Sequence, residues 1–93
     1  MSQLNVNPER VDQLIKRMNQ HTIDIQQKQK AMKSFLTQMQ MQWNDVHYQT
    51  FVQQFDEFDK MMIKAIHLSE ITLIPHLKNV KRLAEDYKNL GKK

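Results

Sequence analysis

Few residues in this chain could do chemistry, and the most suggestive are two pairs of a histidine and an acid. His21 stands three residues before Asp24, and His67 three before Glu70. On a helix each pair lies one turn apart on a single face. Imidazole and carboxylate are ligands for zinc and similar divalent ions, and helical bundles hold such ions between facing helices. A bundle centre draws its ligands from inward positions, however, and both His residues fall beside the apolar rows rather than on them. They read as solvated flank positions, so no metal and no cofactor is expected. No Ser-His-Asp, Cys-His, paired-carboxylate or glycine-rich phosphate pattern is present, and the chain is read as non-enzymatic.

Phosphate binding is the second chemistry to weigh. The formal net charge is +4, and it resides in residues 76–93, where Lys78, Lys81, Arg82, Lys88, Lys92 and Lys93 face only Glu85 and Asp86. The preceding residues balance their charges. A cationic tail can neutralise phosphates, which supports one reading of the protein as a basic helical adaptor for nucleic acid or an anionic surface. Against it stand the neutral body, a single aromatic in the tail and the lack of a recognition motif. Nucleic acid is therefore the disfavoured partner.

The elements that must position these residues follow from composition and spacing. With 93 residues, 40% hydrophobic and 26% charged, one Gly, two Pro and no Cys, the chain suits one small all-α domain spanning 1–93. Absence of cysteine removes disulfides and thiolate metal sites and leaves the redox compartment open. No apolar run is long enough to span a bilayer and the first residues lack a signal-peptide core, so the expectation is a protein made in the cytoplasm that, if it leaves the cell, leaves folded or by a dedicated route.

Asn7-Pro8-Glu9 is a helix start, with Asn as cap, Pro in the first turn and an acid near the positive end of the dipole. From there Val11, Met18, Ile25, Met32 and Met39 recur every seventh residue, with Ile15, Leu36 and Trp43 on a companion row interrupted by Thr22 and Gln29. This predicts helix 1 over about 8–41. Trp43, Asn44 and Asp45 form the turn at 42–45, where Asp45 can cap the next helix and Asn and Asp tolerate left-handed backbone. A second helix over about 46–88 carries Val52, Ile66, Leu73, Val80 and Tyr87 on one row, Asp59 being the exception, and Tyr48, Phe55, Met62, Leu83 and Leu90 beside it. Pro75 lacks the amide that would bond to Ile71 and predicts a kink.

Folded at residues 43–45, the chain becomes an antiparallel helical hairpin in which position i faces roughly 88 − i. That register sets Val11 on Leu77 and Ile15 on Leu73, and lays Lys28, Lys30 and Lys33 across from Asp56, Glu57 and Asp59. It also leaves residues beyond about 80 overhanging. The apolar stripes are wider than one partner helix can cover, so dimerisation into a four-helix bundle is expected. The partner-facing residues would be Phe51, Phe55, Phe58 and Met62, joined by Leu83 and Leu90. The stripe is rich in Met (Met18, Met32, Met39, Met61, Met62), which fits core filling and an adaptable binding face alike.

A length near one hundred, a helix–turn–helix plan, the central Trp43-Asn44-Asp45 and the closely following Phe51 and Phe55 resemble the WXG (Trp-x-Gly) family of small type VII secretion substrates, the early-secreted-antigen-like proteins. The resemblance implies a helical hairpin without a cleaved signal peptide that forms homodimers or heterodimers. The partner would be another small helical protein or the helical domain of a larger toxin, with a secretion ATPase as a further contact. In this chain Asp45 stands in the Gly place. The family's C-terminal Tyr-x-x-x-acid export element would correspond to Tyr87-Lys88-Asn89-Leu90-Gly91, with Gly91 in the acidic place. The resemblance then implies a type VII substrate, or a co-exported partner or chaperone of a larger effector, whose missing acid is supplied by the protein it travels with.

Overall fold

Asn7 starts the first helix as its side chain permits: Oδ1 accepts a hydrogen bond from the Glu9 N–H at 2.9 Å, and Pro8 occupies the first helical position, where a missing N–H costs nothing. The computed structural model describes residues 5–90. Helix α1 runs Pro8–Met39, α2 runs Val46–Leu68, a π turn occupies Ser69–Leu73, and α3 runs Ile74–Leu90. Among the described residues there is no strand. The fold is an all-α helical hairpin, and its residues pack as two compact units.

One unit joins the described residues up to His21 with those from Leu68 onward. Its core is Val11, Ile15 and Ile74, with Met18, Leu77 and Val80 packed on it. The register differs here from the sequence expectation. Ile74 is 6% exposed and Leu73 49%, so Ile15 shares its cluster with Ile74 and not with Leu73. The cause is the π turn, in which the Ile74 N–H bonds to the Ser69 carbonyl five residues back. One extra residue in a turn rotates everything after it by about 100°. The turn lies directly before Pro75, which has no N–H to give to Ile71.

The expected overhang beyond residue 80 is also absent. Ala84 is 3% exposed, Lys81 Nζ meets Asp12 Oδ1 at 2.9 Å, and Lys88 Nζ meets Glu9 Oε1 at 3.1 Å. The helix turned by one residue presents its basic positions to the acids that open α1, so the first turns of α1 and the length of α3 are used together. Asp12 also takes Lys16 at 3.0 Å. Lys81 first and Lys16 second hold the Asp12 carboxyl below the usual carboxylate range, and Asp12 in turn raises the Lys81 ammonium.

The other unit, Thr22–His67, contains the bend. Leu36, Tyr48, Phe55 and Ile66 are its buried hydrophobic residues, and Asp59 is buried beside them. Across the described residues no large side chain is fully buried. An interior this thin is what a two-helix section permits.

Candidate functional site

The bend is built from polar bonds that the local sequence supplies. As α1 runs out at Met39, the Met39 carbonyl accepts from the Gln42 N–H at 2.9 Å and the Trp43 N–H at 2.8 Å. Asp45 then caps α2, its Oδ1 accepting from the Tyr48 N–H at 3.0 Å, while its carbonyl accepts from the Gln49 N–H at 3.2 Å. Among the described residues none has positive φ. The turn therefore needs no left-handed residue, and a glycine has no steric advantage at position 45. Asp45 brings instead a carboxylate to the positive end of α2.

Trp43, half-buried, corners the bend. Its ring meets Tyr48 edge-on, centroids 5.4 Å apart at 70°, a favoured geometry for aromatic pairs. The Tyr48 hydroxyl donates to the Leu36 carbonyl, tying the start of α2 to the last turn of α1, where carbonyls lack intrahelical donors. An aromatic row continues from Trp43 to Phe51 at 6.4 Å, Phe51 to Phe55 at 6.5 Å and Phe55 to Phe58 at 5.9 Å.

The structure separates the residues expected to face a partner. Phe51, Phe58, Leu83 and Leu90 are exposed. Phe55, at 8% exposure, is covered within the chain and is not free for a partner. Met62 is half-buried. The split follows the helix: Phe55 and Met62 continue the inward row that starts at Tyr48, and Phe51 and Phe58 flank it. Tyr87 is exposed, and Gly91 lies outside the described residues. His21 and His67 are exposed, and no group of three or more metal-ligating side chains occurs among the described residues.

Asp59 has a role that apolar patterning alone did not reveal. It is 6% exposed, takes Lys33 Nζ at 2.5 Å and accepts from Gln29 Nε2 at 3.1 Å. Lys33 first and Gln29 second hold its carboxyl below the ordinary range, against the opposing effect of burial. The sequence did carry a signal, since Asp59 and Gln29 are the polar interruptions of their rows.

A helical hairpin cornered by a tryptophan, with an acid two residues later capping the second helix, is the class of protein this geometry defines. A family model, proteins of 100 residues with WXG, matches residues 3–72, and the chain belongs to that family. Neither the curated proteins nor the solved structures offer a match. The family is associated with type VII secretion substrates, and its members are small secreted helical proteins that form protein–protein complexes. The matched stretch ends inside the π turn, so α3 with Tyr87 lies beyond it. No helix among the described residues is long and apolar enough to cross a membrane.

Proposed function

We propose that this chain is a non-enzymatic substrate of a type VII secretion system, or the co-exported helical partner of a larger secreted effector, and that it acts by laying exposed apolar helix faces against another helical protein. The observation that carries this reading is the apolar surface left open on a family member: Phe51, Phe58, Met61 and Ile63 on α2, and Leu83, Tyr87 and Leu90 on α3, are exposed. Exposed apolar surface of this kind is characteristic of association faces. The second protein is another copy, a different small hairpin or the helical domain of a toxin. In the last two cases it supplies the acid that the Tyr87 element lacks.

The rival reading, a basic tail on phosphate, has weaker support. Of the tail's cations Lys81, Arg82 and Lys88 are already held by Asp12, Asp86 and Glu9.

The test is expression of a tagged chain in a native host with the secretion ATPase active or inactivated, followed by capture and sedimentation. ATPase-dependent appearance outside the cell, with recovery of a second copy or a second helical protein, is expected. A chain that stays in the cytoplasm while secretion is active and recovers only ribosomal or nucleoid components overturns the proposal.

A further inference from the structure

Helix α3 carries two apolar stripes, and the chain uses one of them. In the structure Ile74 and Ala84 are buried and Leu77 and Val80 pack on the core, Val80 being shared by both stripes, while Leu73, Leu83, Tyr87 and Leu90 are exposed. In an unbroken α-helix the row through Ile66 would continue to Leu73, Val80 and Tyr87, and the row through Met62 to Ser69, His76, Leu83 and Leu90. Sequence phase and structural phase differ by one residue, and the π turn at Ser69–Leu73 is where the difference arises. Inserting a residue into a heptad pattern shifts its seam in this way.

Each phase carries one defect. In the π phase the larger apolar side chains Leu73, Leu83, Tyr87 and Leu90 stay exposed, which forgoes their burial. In the α phase Pro75 would sit mid-helix, its ring pressed on the Ile71 carbonyl. The gains are likewise divided. The π phase keeps the Lys81–Asp12 and Lys88–Glu9 pairs, whereas the α phase turns the larger side chains Leu83, Tyr87 and Leu90 inward. Neither arrangement has every interaction in its favour, and both are populated where the opposing contributions leave only a small free-energy gap.

We propose that the π turn at Ser69–Leu73 is a two-position register device: gaining or losing it slips α3 by one residue and exchanges which apolar stripe faces α1 and which faces outward. A molecule bound to the Leu73, Leu83, Tyr87 and Leu90 stripe would select the π phase, because only there is that stripe open. The device is a property of the chain alone and is tested without any partner, so its failure is distinct from failure of the secretion reading.

The chain has no cysteine, which makes disulfide trapping direct. Ile15→Cys with Ile74→Cys reports the π phase, and Ile15→Cys with Leu73→Cys reports the α phase, since a disulfide closes only where the two Cβ atoms approach closely. The share linked between positions 15 and 73 is expected to rise severalfold when Pro75→Ala removes the α-phase defect. A share that Pro75→Ala leaves unmoved overturns the device. Deleting Thr72 provides a second variant: it takes out the extra residue, so an all-α helix presents the Ile74 side. Linking between 15 and 74 alone is then expected, and linking between 15 and 73 at the parent level overturns the proposal.

Discussion

Removing one oxygen from Tyr48 tests how the bend is held. The residue is 6% exposed, and Tyr48→Phe keeps the ring packed edge-on against Trp43 at 5.4 Å while deleting the donor to the Leu36 carbonyl. Leu36 lies in the last turn of α1, and the Gln40 N–H reaches Thr37 O at 3.3 Å, so loss of the hydroxyl strands a covered acceptor. Stranding a buried polar group costs about 1–3 kcal/mol, and the lower half, about 1–2 kcal/mol, is expected because the ring and its packing survive. For a domain of this size about 1 kcal/mol moves the melting midpoint by about 4–8 °C, so a loss of about 5–15 °C is the expected result. Trp43 is the single tryptophan and sits beside the mutated residue, so its fluorescence on heating or in urea reports the unit that contains the change. A Tyr48→Phe melt within about 2 °C of the parent would refute the reasoning and make the Leu36 carbonyl a solvated group.

Three further outcomes are expected. Asp45→Ala should cost about 1 kcal/mol through loss of the α2 cap, and Asp45→Gly only a few tenths; urea midpoints read both, and a gain in stability from Gly would show that the turn does require a left-handed residue. Ile74→Ala should cost about 2–5 kcal/mol as a buried truncation, and Leu73→Ala no more than about 1 kcal/mol, because half of that side chain is already wet. The reverse order in urea would restore the unbroken heptad register. Asp59 and Asp12 have carboxyl groups held below their ordinary range, so their contributions are complete above the unfolded carboxylate value of about 3.9 and are lost as pH falls through the depressed folded values. Lys81, raised, contributes fully below the ordinary lysine value of about 10.4 and loses its share as pH climbs through the raised one. Urea midpoints measured from neutral to acid pH should fall less steeply in Asp59→Asn than in the parent, and equal slopes would mean that the Lys33 pair contributes nothing.

Much of the hairpin was legible because its signals are local. Asn7, Pro8 and Glu9 announce a helix start by their own backbone chemistry, and the seven-residue spacing of Val11, Met18 and Ile25, with Ile15 and Leu36 on the companion row, gives the inward face of α1 directly. Met32, a member of that same row, and Phe35 beside Leu36 are exposed all the same, so the spacing overstated how far the inward face extends. The bend residues were legible too, although the left-handed backbone that Asn and Asp tolerate is not used there. What spacing could not give was the phase of α3. A π turn changes no residue type and leaves the periodicity intact on either side, so Leu73, Val80 and Tyr87 continued to look like a row. Pro75 marked the place of trouble without saying whether the helix would kink, break or widen. Asp59 stood out as a violation of its row, and the hairpin register had already laid Lys33 across from its cluster; its burial and the Gln29 bond were not legible.

The cluster of Gln29, Lys33 and Asp59 also bears on how the chain finds its alignment after being unfolded. Two long helices with few deeply covered apolar positions gain nearly as much from neighbouring alignments as from the right one, since Met, Ile and Leu recur at similar spacing along both. Sliding α2 by one heptad carries Asp59 away from Lys33 and Gln29 and leaves a covered carboxylate without its cation, which is disfavoured. A single polar layer thus makes one alignment self-correcting: a hairpin pulled open and released would pass over the near misses and close again with Asp59 on Lys33.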